Sequence, residues 1–440
     1  MVQFFAPALE VFRQPLFAPL VKILFYGAFV YVPFFLILAV YKLMGDYHRA
    51  LYYAQIPWVL LEIKIPKDVF KSPRAMEFVI AGMSKPDYER NWYEKWWKGS
   101  TRQDFSLEIA SIHGEIHFFI WTRKEQQRII EGNLYSQYPG IEVFEVPDYT
   151  KQIVYDPKTM GLIAFEFDLV KPDVYPIRTY IDWGMDKDPK EEYKIDPLTP
   201  LLEYMGSFGR GQIALFQIML RRHMGGESKV KEYDSKVKEE VEISPGNKKL
   251  IYVEKTIDKS AKDEIKKIED AAKQKLDEEG KPIPGSGRFL NDTETDIIKS
   301  IWRKVSKNAF DVGIRIIYMA PKEIYSGGHI GGMVGGMMHF NANNFNSFKA
   351  ARTSPDIRPF FKKFGFNVAR PDRLRNPERQ EMLDAYKRRS YFYPPHVRPP
   401  IVLNAEELAT IYHFPGSVST TPTFEHIQSR KAEAPGNLPV

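Results

Sequence analysis

The chain has no cysteine among its 440 residues. That excludes disulfides, Cys-based zinc sites, thiol nucleophiles and iron–sulfur clusters together, and it fits a reducing compartment. No Gly-Lys-Ser or Gly-Lys-Thr occurs, so the phosphate loop GxxxxGK[ST] is missing. HExxH and GxSxG are missing too. The chain has little excess of either charge sign: 62 Lys+Arg face 56 Asp+Glu, a net +6. With 44% hydrophobic and 27% charged residues, the composition is that of a folded protein, not a disordered one.

What is present begins with one long apolar run. Residues 23–41, ILFYGAFVYVPFFLILAVY, carry no charge and match the ~30 Å of hydrocarbon that a helix must cross. Tyr26, Tyr31 and Tyr41 are candidate interfacial aromatics, and Pro33 would kink such a helix without forbidding it. A signal peptide competes, but the run is longer than an ordinary signal core and ends at Tyr41-Lys42-Leu43-Met44 without an A-x-A site. A buried globular helix is the third reading. We read a signal anchor: an interfacial segment over 1–22, then a transmembrane helix over 23–44. Lys42, Arg49, Lys64 and Lys67 follow the run, while only Arg13 and Lys22 precede it. The positive-inside bias therefore predicts a single-pass protein of the cell membrane with its bulk in the cytoplasm.

Beyond Pro57 the pattern predicts an α+β protein. WVLLEIKIP (58–66) reads as a strand and SPRAMEFVIAGMS (72–84) as a helix with Pro73 at its first position. DFSLEIAS (104–111) and EIHFFIWT (115–122) form a hairpin, KEQQRIIEGNLYSQY (124–138) a helix, and IEVFEV (141–146) a strand. The order βαββαβ over 57–150 is that of a ferredoxin-like unit. A second α+β round spans 160–340: strand 160–170, helix 195–208 capped by Asp196, strand 211–220, helix 293–306 with Asp292 as cap, and strand 310–320. Divergent copies are one account of the two rounds, although no residue-level repeat links them. A charged insert, 223–290, interrupts the second round and suits a solvated helix or a protruding hairpin. A basic C-terminal region (341–414) and a Pro/Gly-containing tail (415–440) complete the chain.

Candidate chemistry is sparse. His113 and His117 flank Glu115, but on a turn and a strand, where a zinc site of the HExxH type needs one helix face. The glycine pairs Gly327-Gly328, Gly331-Gly332 and Gly335-Gly336 recur every four residues and would line one helix face for close packing. Phe118, Phe119 and Trp121 partly fit an RNA-stacking strand, although alternating strand aromatics ordinarily fill cores. The aromatic loop NWYEKWWKG (91–99), with Trp92, Trp96 and Trp97, suits either a membrane surface or a lid over the sheet. No catalytic, cofactor or metal site is expected.

The basicity sits late in the chain. Residues 341–400 hold 13 Lys+Arg against 5 Asp+Glu. Arg352, Arg358, Lys362, Lys363, Arg370, Arg373, Arg375, Arg379, Lys387, Arg388 and Arg389 are interleaved with aromatics. Nucleic-acid phosphates, anionic lipid headgroups or an acidic protein would each be attracted. A solvated charged surface is the plain alternative.

Three stretches carry a family resemblance. They are SLEIASIHGEIHFFIWTRKEQQRIIEGNLYSQYPGIEVFEVPDYT (106–150), IDPLTPLLEYMGSFGRGQIALFQIML (195–220) and VLNAEELATIYHFPGSVSTTPTFEHIQSRKAEAPGNLP (402–439). Together they resemble the N-terminal membrane-anchored module, a domain of unknown function, of HerA/FtsK-like DNA-translocating coupling ATPases of type IV secretion and conjugation systems. In fused relatives a phrase like APGNLP precedes the ATPase core, whose Walker motifs this chain does not contain. The resemblance implies a membrane location, a HerA/FtsK-like ATPase acting in trans, oligomerisation with that ATPase, and a DNA-transfer setting. It supplies no catalytic residue. Two functions follow: a membrane-anchored adaptor that docks the motor, or a membrane-tethered nucleic-acid-binding protein using the basic stretch 352–389.

Overall fold

The computed structural model describes residues 17–65, 71–84, 91–186, 196–224, 236–244, 247–254, 257–272, 289–352 and 372–415. It divides into two units, the smaller formed by residues 1–56 and 88–102 and the larger by 57–87 and 103–440.

In the smaller unit, helix α1 runs from Phe17 to Gln55 without interruption, although Pro33 lies inside it. At 1.5 Å per residue its 39 residues reach roughly 58 Å. It is the one helix among the described residues long and apolar enough to cross a membrane. The expected span 23–44 is thus only part of the helix. Residues 17–22, expected in the interfacial segment, are already helical, and residues 1–16 lie outside the described residues. The continuation past Met44 is polar but free of Gly and Pro after Gly45, so nothing breaks the helix until Pro57 disfavours helical backbone just before it.

The larger unit is built on an antiparallel sheet. Its first four strands are β1 (Trp58–Lys64), β2 (Asp104–Ile112), β3 (Glu115–Arg123) and β4 (Glu142–Val146). Next come β5 (Met160–Leu169) and β6 (Ile213–Arg222), then a separate hairpin of β7 (Lys236–Ser244) and β8 (Asn247–Glu254). β9 (Ala309–Pro321), β10 (Phe348–Arg352) and β11 (Ile401–Asn404) complete the strands. The large sheet has nine strands in the order β10-β5-β9-β6-β2-β3-β1-β4, with β11 also paired to β9. β9 is long enough to hold two partners along one edge: Ile314–Pro321 pair with β5, and Ala309–Val312 with β11. The two rounds, 57–150 and 160–340, are therefore not separate bodies. They share one sheet through the antiparallel pairing of β2 with β6.

The hairpin between β2 and β3 shows why local sequence sets its register. His113 and Gly114 both take positive φ, 60° and 94°, as a two-residue turn matched to strand twist requires. A side chain at position 114 would run into the Phe208 carbonyl, so glycine suits the turn twice over. His113 Nδ1 accepts a hydrogen bond from the Gly211 amide at 2.9 Å, and His117 Nδ1 meets Glu62 at 2.8 Å.

Strand residues alternate between faces with period two. One face carries Leu61, Ile109, Phe118, Phe216, Ile316 and Phe167 into a single apolar core. Helices α2 (Arg74–Met83), α3 (Gln127–Gln137), α4 (Thr199–Gly206), α7 (Gly328–Met338) and α9 (Ala405–Ile411) add residues to that same core. Gly332 and Gly336 of α7 meet Tyr204 and Leu201 of α4, so part of the glycine-pair helix gives close backbone approach. Helix α5 (Ile257–Ala272) packs on α6 (Asp292–Val305) through a small separate cluster of Ala261, Ile265 and Ile301. Asn291 caps α6, not Asp292: its side chain accepts from Glu294 N while Glu294 returns the bond, closing a capping box. The charged insert holds both a hairpin and a helix. The remaining helix, α8 (Asp372–Lys387), belongs to the opposite side of the sheet.

Candidate functional site

On the face away from the main helices the sheet carries polar residues in one cross-strand row. The registers Glu108↔Gln217, Gln217↔Arg315 and Glu166↔Arg315 align four polar residues across β2, β6, β9 and β5. All four are buried. Buried charges are stable only when paired and hydrogen-bonded, and residues 386–398 of the C-terminal region supply the partners.

The match is position by position. Arg389 Nε donates to Glu108 Oε1 at 3.0 Å, and its Nη2 donates to Asp148 Oδ1 at 3.0 Å. Glu108 also accepts from Ser106 at 2.7 Å, from Gln217 at 2.9 Å and from the Tyr149 hydroxyl at 2.8 Å. Gln217 Nε2 reaches the Tyr386 carbonyl at 3.2 Å, and Arg315 Nη2 the Ser390 carbonyl at 2.8 Å. Arg398 Nη1 donates to Glu166 at 2.6 Å, and His396 Nε2 lies 3.0 Å from the same carboxylate. Tyr391 lies flat on the sheet where β9 has Gly313; a Cβ there would stand 2.5 Å from three of its ring atoms. Arg221 stacks over Phe392 at 4.5 Å. The carboxylates of the row are spent on protein donors, so the arrangement acts as a latch that ties the C-terminal region to the sheet.

Electrostatics follow from these contacts. Burial alone would raise the Glu166 carboxyl, but His396, Arg315 and Arg398 outweigh it and hold it at about 2. Burial pushes the hydroxyls of Tyr149 and Tyr386 far up, so both stay neutral donors. Desolvation works against the Arg389 charge, yet Glu108 and Asp148 raise its affinity for the proton above the ordinary value. A carboxyl depressed in the fold contributes stability above its unfolded value of about 4.5, lost as pH falls toward 2. At ~1.4 kcal/mol per unit this amounts to ~3 kcal/mol. Denaturation of Glu166→Gln beside the parent across pH 2–7 should therefore show a gap that is constant above about pH 5 and closes in acid. A gap independent of pH would mean that Glu166 is not held ionised by its partners.

The latch changes the standing of the basic stretch. Arg389, expected at a contact surface, is internal, because Glu108 and Asp148 need it more than solvent does. Lys387 is half-buried and its Nζ donates to the Ile153 carbonyl. Arg375 and Arg379 are half-buried on α8, and Arg388 is exposed. Arg352 ends β10 and Arg373 lies in the first turn of α8. Arg358, Lys362, Lys363 and Arg370 lie outside the described residues. The expected eleven-residue surface is thus divided, and at least one member is structural.

Phe118, Phe119 and Trp121 offer no open stacking platform. Phe118 packs edge-on against Tyr412 and Phe414, Phe119 stacks on Tyr149, and Trp121 stacks on Trp58 at 3.7 Å. The residues missed from sequence were Glu108, Gln217, Arg315 and Glu166. Their signal was a polar residue in phase inside each apolar strand: LEIA, FQIM, IRII and FEFD.

Residues 401–414 are as deeply embedded as any strand. Lys304 and Glu407 form a buried ion pair at 3.0 Å, Glu407 also closes a capping box with Asn404, and the Tyr412 hydroxyl donates to the Phe119 carbonyl at 3.1 Å. Phe414 is buried against Phe118 and Tyr138, so the described residues end beside β3 and the end of α3. Comparison with models of known protein families, with curated proteins and with solved structures finds no match to this chain.

Proposed function

We propose that this protein is a non-enzymatic, membrane-anchored adaptor of a type IV secretion or conjugation-like DNA-transfer apparatus, which docks a separate HerA/FtsK-type ATPase. In this reading α1 crosses the cell membrane once and the larger unit is cytoplasmic. The larger unit is two ferredoxin-like halves joined edge to edge. Antiparallel orders β4-β1-β3-β2 and β10-β5-β9-β6 support the halves, since each follows the 4-1-3-2 order of that unit.

One observation carries the adaptor reading. The three stretches that bear the family resemblance lie far apart in sequence but adjoin in the fold. β2 and β3 come from the first stretch and β6 from the second; β6 pairs with β2. The third stretch supplies Tyr412 and Phe414, which rest on Phe118 of β3. A shared core of one module accounts for that convergence more simply than three independent likenesses. The tail 415–440 follows this block in the chain and is the segment that docks the motor in this reading.

Truncation after Gly416 tests the reading, because it leaves the buried Phe414 and the latch in place. Tagged full-length chain solubilised from its own cells should co-purify with an ATPase carrying GxxxxGK[ST], identified by mass spectrometry. The truncated chain should lose that ATPase while keeping its membrane fraction and its circular dichroism. Equal recovery with both chains would remove the docking role of the tail. Recovery of DNA in place of an ATPase, weakening log-linearly with salt, would favour the nucleic-acid-binding alternative. The internal commitments of Arg389 and Lys387 weigh against that alternative.

A further inference from the structure

The smaller unit contains a feature that the adaptor reading does not use. Residues 91–99 return to α1 and pack on it around Tyr41–His48. Trp96 stacks on Tyr41 with ring centres 4.6 Å apart, and its Nε1 donates to the Tyr41 carbonyl at 3.1 Å. Trp92 stacks on Trp96 and donates to the Tyr41 hydroxyl at 2.8 Å. The turn Tyr93–Trp97 is π-helical, which widens the backbone by one residue per turn. Two glycines allow the approach: Gly45 faces the Trp96 ring, and Gly99 crosses the His48 backbone with φ of 64°.

Once Trp96 is seated, the other rings face outward. Trp92, Tyr93 and Trp97 are 60%, 50% and 48% exposed, beside exposed Tyr41 and Tyr47 on α1. Immediately N-terminal to them, the apolar side chains from Tyr26 to Met44 are exposed as well. The apolar run 23–41 spans roughly 28 Å as helix, close to the ~30 Å hydrocarbon thickness. The collar of rings therefore begins where hydrocarbon would give way to headgroups. Amphipathic Trp and Tyr rings are favoured at that level. Asp46 is paired with Arg49 at 3.1 Å, and Glu94 accepts from the Asn91 amide at 3.2 Å. Lys42 and Lys98 are exposed in the same band, where anionic headgroups attract cations.

We infer that residues 92–98 form a second membrane contact, an aromatic collar that inserts Trp92, Tyr93 and Trp97 among anionic headgroups and sets the depth of α1. The inference rests on the reading of α1 as a membrane span. Spin labelling can separate the two, because a chain without native cysteine takes one label per introduced cysteine. Full-length chain carrying Phe34→Cys, Tyr93→Cys, Trp97→Cys or Ser136→Cys would be reconstituted into phosphatidylcholine–phosphatidylglycerol vesicles. Power-saturation measurements with oxygen and with a water-soluble nickel chelate then report depth.

The label at 34 should lie in hydrocarbon, and that at 136 in water. Labels at 93 and 97 should sit at headgroup depth, with nickel accessibility several-fold below that at 136. If 34 reads hydrocarbon while 93 and 97 are as accessible as 136, the collar is wrong and the span stands. If 34 itself reads water, the span fails and the collar with it.

Discussion

Replacing Arg389 with Met should destabilise the larger unit by about 3–5 kcal/mol, the range for removing one partner of a buried ion pair. The loss is large because Glu108 is fully buried and would keep only neutral donors, Ser106, Gln217 and Tyr149. Asp148 would lose the same guanidinium. Urea unfolding of the full chain in detergent, followed by tryptophan fluorescence, measures the effect; Trp121 lies 5.5 Å from the Arg389 guanidinium carbon. Adding Glu108→Gln to Arg389→Met should recover part of the loss, since a neutral amide no longer needs a counter-charge. An Arg389→Met chain as stable as the parent would show that the latch does not hold the fold together.

Gly313→Val should cost about 2–3 kcal/mol, the upper part of the range for overpacking a filled core. The Tyr391 ring cannot stay where a Cβ would stand 2.5 Å from it, and Tyr391 is 1% exposed, with no room to retreat. Its displacement would strain the neighbouring bonds of Ser390 to Arg315 and of His396 and Arg398 to Glu166. Limited proteolysis should then cut within residues 386–398 of Gly313→Val while sparing the parent. Tyr391→Ala in the same chain should relieve the clash and leave a smaller loss than Gly313→Val alone, a coupling expected only for touching residues. Identical proteolysis of parent and variant would mean that the segment is not seated through Tyr391.

The two effects act on the same latch by different physics, one through charge and the other through volume. Both lie in a region whose sequence reads as an exposed basic stretch. That contrast marks where local reading stops. The hairpin of β2 and β3 was legible almost to the residue, because alternation and the His113-Gly114 turn are decided within a few positions. Helix α6 was legible for the same reason, although Asn291 took the cap expected of Asp292. A side chain one residue earlier has the same chemistry, and only the backbone path selects between them. The helix α1 ran eleven residues past its expected end at Met44, because the apolar run ends there while helical geometry continues to Gln55.

An α+β protein with one apolar helix of membrane length, a hairpin over 104–122, and the lack of phosphate-loop and cysteine chemistry were all legible in the sequence. These follow from composition and from contacts between near neighbours. That the two rounds share a sheet, and that Arg389 is internal, emerges only in the folded chain. Glu108 and Arg389 are 281 residues apart. A cross-strand partner at that distance leaves no trace in the spacing on either side of it. Whether a charge faces water or a buried carboxylate depends on what the rest of the chain brings opposite it.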